Sequence, residues 1–413
     1  MLKGVCLIAI DRKIIEDMHN SLPSKVKTRL KQAAESIVKA KERGGKVVAV
    51  VGSGPNLHEG VTTLIAELIH KGIIDGVTTS SAVINHEMAG TLEKVKRFDG
   101  VAFGFEREKL PSDGFFEVSI LSKTRLAEFH REIPIDMALY RRMRRTKGNI
   151  VIKVAGNIAY PTGLLTERLA RDVLALAKRR GVPFEVMAGY GADRLTMIGA
   201  GAECKIPVLV TVPQLVGGGE VGLAIGDSLS ISERCHRVAR LLDGADVIIE
   251  SAVALSQEVH DGPFERFTGH GIWADWKGEW SYSLAETKIV RIDLDPNLEK
   301  AWIKERKSKM VTDAVQRGFP KAKQMGLPFR MEMSGFARIP GSLPIIRDIG
   351  EIWPLLATMV ADALHVRLDF MSYKQSLPAG AKVREWIVRH VQSVNRDRML
   401  ASDRETTPIT PLK

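Results

Sequence analysis

One pattern constrains the fold of this chain more than any other: short β-branched runs close on glycine or hydroxyl residues and lead into stretches with helical spacing of apolar positions. Lys46 to Val51 form such a run, closed by Gly52-Ser53-Gly54, and an amphipathic stretch over 61–71 leads to a second short strand over 76–79. The same pattern predicts helices over 168–180, 230–242, 296–317 and 351–364, and strands over 182–186, 206–212, 245–250, 287–294 and 343–346. Ahead of the first strand, the Lys-rich segment 24–44 carries Val26, Leu30, Ala33, Ile37 and Val38 near helical spacing and ends at Gly44-Gly45. Short apolar strands alternating with helices predict a largely parallel sheet covered on both faces. The expected fold class is α/β, doubly wound and Rossmann-like. The α/β domain is expected over 46–365, with a helical segment over 1–45, insertions near 99–149 and 264–282, and a C-terminal helix and tail over 366–413.

Composition agrees with such a fold. Of 413 residues, 45% are hydrophobic and 26% charged, the balance of a globular chain. The net charge of +11 admits an anionic cofactor, a polyanionic partner or a solvated cationic surface. Cys6, Cys204 and Cys235 are too scattered for a disulfide framework and form no CxxC pair, so a reducing, cytoplasmic setting is expected. The apolar run 4–10 is short for a signal segment, and the window 208–226 is broken by Pro213, Gln214 and Glu220, so no membrane span is expected.

Ligands of open α/β sheets bind beyond the carboxyl ends of the strands, which makes the polar strand exits the candidate sites. At the first exit, Gly52, Ser53, Gly54 and Asn56 allow close backbone approach and a helix N-terminus for a phosphate, and the same residues also fit a tight structural turn. The second exit strings together Thr78, Thr79, Ser80 and Ser81, hydroxyls that suit a helix cap or the oxygens of a phosphate or ribose. His86 and Glu87 follow, an imidazole beside a carboxylate, with a surface histidine as the bland alternative. The third exit holds five glycines between Pro213 and Ser230, which give it unusual backbone freedom, and Gly226-Asp227 offers a carboxylate to ribose hydroxyls. The fourth runs from Glu250-Ser251 to Glu258, His260 and Asp261, which supply acid, base and cation-binding groups. Trp273, Trp276 and Trp280 either wall a cationic substrate or fill an accessory core. His260, Asp261 and His270 lack compact ligand spacing, so no metal is expected.

In this order the exits resemble the deoxyhypusine-synthase-like NAD-binding superfamily. Gly76-Val77-Thr78-Thr79 is similar to the synthase's second strand. Gly52-Ser53-Gly54-Pro55, His58-Glu59-Gly60 and the hydroxyls before His86-Glu87 are similar to the NAD domain of archaeal-type ornithine cyclodeaminases. The segment 347–357 resembles the synthase's closing strand and helix, whose aspartate, here Asp348, belongs to the NAD site. The resemblance implies NAD as cofactor, a homo-oligomer, and a site that draws on Ser251 and Asp348. It departs where the synthase carries its imine-forming lysine, since Ser334-Gly335-Phe336-Ala337 holds none, and where Ser256-Gln257-Glu258 replaces a histidine-bearing exit.

Three functions compete. The first is an NAD-dependent enzyme that transiently oxidises the C–N carbon of a small amine or amino acid, with His86, Glu87, Glu258 and His260 as catalytic candidates and Glu258 anchoring the substrate ammonium. The second is aminobutyl transfer of the deoxyhypusine or homospermidine synthase type, with Lys205 or Lys153 recruited. The third is nucleic-acid binding through the basic run Arg141 to Lys147, for which a solvated helix face is the commoner explanation.

Overall fold

The computed structural model describes residues 10–52, 54–215, 217–251, 284, 286–293, 307–310, 313 and 342–405. Nine strands appear among them: β1 Val47–Val51, β2 Gly76–Ser80, β3 Leu92–Asp99, β4 Phe115–Ser119, β5 Asn149–Val154, β6 Val208–Val212, β7 Val247–Ser251, β8 Lys288–Asp293 and β9 Leu343–Ile346. Six of them form one sheet in the order β6-β2-β1-β7-β8-β9, and every neighbouring pair is parallel. Counted along the chain, these six strands lie third, second, first, fourth, fifth, sixth, which is the doubly wound dinucleotide-fold order. The order reverses between β1 and β7, and the crevice beyond their carboxyl ends is the topological switch point.

Strand alternation divides the sheet's two faces. Val47, Ala49 and Val51 of β1 join Ile249 of β7 and Val290 and Ile292 of β8 in the larger core. Val48, Val50, Ile248 and Ile289 point the other way and pack with Val238 and Leu242 of helix Ile231–Asp243. On the larger face, helix Ser24–Glu42 buries Leu30, Ala33, Ala34, Ile37 and Ala40, a stripe at helical spacing, and packs against helix Ile349–Ala363. Helix Pro378–His390 adds Val383, Trp386 and Ile387 to that core, so segments from both ends of the chain join the α/β layers.

The strand expected over 182–186 is the first part of helix Phe184–Gly191, in which Phe184, Met187 and Ala188 are buried. A short apolar run is ambiguous between strand and helix, and here the three-residue spacing of the buried positions decided. The excursion near 99–149 is bracketed by an antiparallel sheet of order β4-β3-β5. It has its own core of Phe98, Val118, Tyr140 and Met143, flanked by Phe103, Phe105 and Phe116. The insertion near 264–282 lies outside the described residues, as does most of the helix expected over 296–317. No helix of the described residues is long and apolar enough to cross a membrane.

Candidate active site

At the switch point the chain clamps its own strand ends. Gly52 N–H donates to the Ser251 carbonyl at 2.9 Å, and Asn56 Nδ2 donates to the Gly52 carbonyl at 3.0 Å. The Ser251 hydroxyl donates to Asn56 Oδ1 and accepts from Trp353 Nε1 at 2.8 Å. Asn56 and Ser251 are fully buried, so their side chains hold β1 and β7 together beneath the crevice. Above them the first exit is open, because a Cβ placed on Gly54 would meet nothing within 4 Å. Ser53 lies outside the described residues.

The neighbouring exits are filled by the protein itself. Thr79 Oγ1 donates to the Val51 carbonyl at 2.9 Å, and the Ser80 hydroxyl caps helix Ser81–Met88. Ser81 Oγ donates to the Gln214 carbonyl at 3.1 Å and accepts from Gln214 N–H at 3.0 Å, which ties the second exit to the third. At the third exit Gly217 and Gly219 turn the chain with φ of +77° and +56°, and helix Gly219–Ser228 begins there at once. Gly226 and Asp227 are exposed in the last turn of that helix, which lies back against the strand exit: a Cβ on Gly226 would meet Pro213 Cβ, just past the end of β6, at 3.5 Å. That exit belongs to the edge strand β6, two strands away from β1 and the switch point.

Two further helix N-termini are also taken. Glu167 accepts from Glu220 N–H at 3.0 and 3.1 Å at the head of helix Gly219–Ser228. Glu87 accepts from Met197 and Ile198 N–H at 2.8 and 3.1 Å at the head of helix Met197–Cys204. Glu87 is fully buried, and burial pushes its carboxyl up to about 8 against the pull of those two donors. It faces away from His86 and works as a cap, contrary to its expected place beside the imidazole.

His86 turns to the small sheet, where its Nδ1 meets the Ala155 carbonyl. A carbonyl only accepts, so Nδ1 carries the proton and Nε2 keeps its lone pair. Burial holds the His86 pKa below the usual histidine range. A second imidazole, His58, shares this environment at the end of helix Gly54–His58. Its pKa is pushed down to about 4 by burial and then by the positive charges of Arg384, His86 and Lys153. Beside it Glu59 is nearly buried, and burial raises its carboxyl to about 7, with Gln375 N–H, Lys374 and Arg384 opposing the rise. Asp348 adds to the rise; it caps helix Ile349–Ala363 through Gly350 N–H and lies 3.3 Å from Lys374 Nζ. The structure thus brings His58, Glu59, His86, Lys153, Asp348 and Arg384 around the first exit. Sequence reasoning singled out only His86, Lys153 and Asp348 of these for a role. The adjacent His58-Glu59, four residues past Gly54, was the signal for two more; nothing local marks Arg384.

Glu258, His260, His270 and the three tryptophans of the fourth exit lie outside the described residues. Ahead of them, Glu250 and Arg291 form a fully buried ion pair at 2.8 Å between register partners on β7 and β8. Among the described residues no group of three or more His, Cys, Asp or Glu side chains could hold a metal ion. Lys153 is paired with Glu117 at 2.7 Å. Lys205, with φ of +58°, follows helix Met197–Cys204 just before β6, at the opposite, amino end of the sheet. The basic run begins on helix Met137–Arg145, where Arg142 stacks 4.1 Å over Phe103 and donates to its carbonyl.

No protein-family model and no curated protein matches the chain. Among solved structures it is similar to ArgZ, an arginine dihydrolase from the ornithine-ammonia cycle in cyanobacteria, at 13% identity over 83% of this chain and 32% of that one, with a TM-score of 0.41. It is also similar to AgrE in a ternary complex with ornithine and NAD+, at 14% identity over 83% and 34%, TM-score 0.40. A conserved protein described as LOR/SDH, from Methanococcus maripaludis S2, overlaps at 12% identity over 84% and 72%, TM-score 0.41. The chain spans about a third of the length of the ArgZ and AgrE structures.

Proposed function

We propose that the chain binds NAD across the carboxyl ends of β1 and β7 and uses it to oxidise the C–N carbon of a small amine or amino acid. The observation that carries this reading is the open glycine exit at the point where the strand order reverses, while the helix N-termini at Met197 and Glu220 are filled by Glu87 and Glu167. Gly52 and Gly54 are the positions where backbone approaches a pyrophosphate most closely in such folds. Where such folds usually carry an acidic ribose ligand beyond the second strand, this chain has the partly exposed Ser80, whose hydroxyl accepts from Val83 N–H and keeps its own proton for a ribose oxygen. NAD, when bound, supplies the hydride acceptor.

The chain's own groups supply the proton chemistry. His58 and His86 are neutral at pH 7, and the His86 Nε2 lone pair suits removal of an amine proton. Glu59, with a pKa of about 7, exchanges protons near neutrality without a metal. Glu87 has no part in this step, since both of its oxygens are committed to Met197 and Ile198. Homo-oligomeric assembly is proposed on the family resemblance alone.

Gly54→Val tests the cofactor site cleanly. The open space at its Cβ leaves the fold undisturbed, whereas two added methyl groups obstruct a phosphate. Calorimetry is expected to find NAD binding in the wild-type protein and a loss of about tenfold or more in the variant, with unchanged thermal unfolding. Equal affinities would remove the first exit from the site.

A further inference from the structure

Helix Pro378–His390 delivers Arg384 to the space between β5 and the first exit. Its Nη2 donates to the Ile152 carbonyl at 2.6 Å and lies 3.5 Å from His58 Nδ1. The side chain is half-buried, and its Nε is buried without a hydrogen-bond partner. Among the described residues no carboxylate stands within ion-pair distance. Glu385 is taken by Lys94 at 2.7 Å, and Glu59 acts on the guanidinium only through space. The other cations of this space are already neutralised, Lys153 by Glu117 and Lys374 by Glu351 and Asp348, and both imidazoles are neutral. The uncompensated charge at the site is therefore that of Arg384.

A desolvated guanidinium without an anion is costly, and its planar fork matches a carboxylate or phosphate better than any neutral group. Position separates those two anions. Phosphates belong at Gly52 and Gly54, while Arg384 meets His58, the last residue of the following helix, about 6 Å further along its axis. Resting on the cofactor reading above, we infer that Arg384 binds the carboxylate of the substrate, so that the site takes an amino acid in preference to a diamine.

Matched probes that differ only by the carboxylate test this: L-ornithine against putrescine, and L-lysine against cadaverine. Each is titrated by calorimetry into NAD-saturated wild-type protein, Arg384→Gln and Arg384→Lys. The wild-type protein is expected to bind at least one amino acid about tenfold or more tighter than its diamine. Arg384→Gln is expected to erase that preference by weakening the amino acid about 10–100-fold, with diamine and NAD affinities unchanged, and Arg384→Lys to fall between. In turnover the effect belongs in KM and not in kcat. No preference in the wild-type protein, no binding of any of the four probes with NAD bound, or equal losses for amino acid and diamine would overturn the inference and leave the cofactor reading standing. A parallel loss of NAD affinity would assign the guanidinium to a cofactor phosphate and overturn it too. Failure of the wild-type protein to bind NAD would overturn the cofactor reading itself, and this inference with it. Thermal unfolding checks both variants, and the wild-type preference decides even where a variant does not fold.

Discussion

Replacing Arg234 by methionine removes the centre of a buried polar knot. The Arg234 guanidinium pairs with Glu185 at 2.6 Å, with 4% and 0% of the two side chains exposed. It also donates to the carbonyls of Val210 at 2.8 Å and Ile225 at 2.7 Å and to the Ser228 hydroxyl at 3.0 Å. One side chain thereby ties β6 to three helices. Methionine fills much of the volume but leaves the Glu185 charge buried with only Val210 N–H as donor. Breaking a buried pair from one side costs about 3–5 kcal/mol, and the abandoned carbonyls add to it. For a chain of 413 residues, an unfolding entropy of about 2 cal/mol/K per residue converts that cost into a Tm drop of about 3–6 °C. Urea and thermal unfolding of wild-type, Arg234→Met and Arg234→Met/Glu185→Gln proteins measure it. The second substitution removes the stranded charge and is expected to restore about half of the loss. A single variant within about 1 kcal/mol of wild type, or no rescue by glutamine, would refute the reasoning.

Two further outcomes follow from the site. Burial raises the folded-state pKa values of Glu59, Glu87 and Glu93 (the last on β3, accepting from Thr162 Oγ1 at 2.6 Å and Gly156 N–H at 3.1 Å) to about 7, 8 and 7, so between the unfolded carboxyl range and those values the folded chain holds more protons and stability falls as pH rises. His58 and His86, with lowered values, act oppositely, but only up to about pH 6.5. Stability is therefore expected to decline from about pH 6.5 to 8, by about 1.4 kcal/mol per pH unit for each carboxyl still protonated; a flat or rising urea midpoint over that range would contradict it, and Glu87→Gln is expected to flatten its upper part. Asp227→Ala is expected to leave NAD affinity within about twofold, because Asp227 stands by the exit of the edge strand β6, two strands and about 10 Å from β1, and a loss of about tenfold by calorimetry would return it to the site.

The fold was legible in the chain because its signals are local. The continuous apolar runs of β1 and β7, the stripe of Leu30, Ala33 and Ile37, and Gly52 and Gly54 at the end of the first strand each reflect neighbours within a few residues, and they predicted a doubly wound sheet. Local signals also misled. The third exit looked flexible because glycines were counted without the Gln214 carbonyl that a Cβ on Gly222 would strike, and Glu87 looked paired with His86 because adjacency along the chain says nothing of direction around a helix. Tertiary structure alone decided which exit stays open, which carboxylates cap helices, and which cation is left without a counterion. Glu87 meets Met197, Glu167 meets Glu220 and Arg384 meets His58 across 110, 53 and 326 residues. Charge and desolvation at a site depend on distance in space, which the order of residues does not encode.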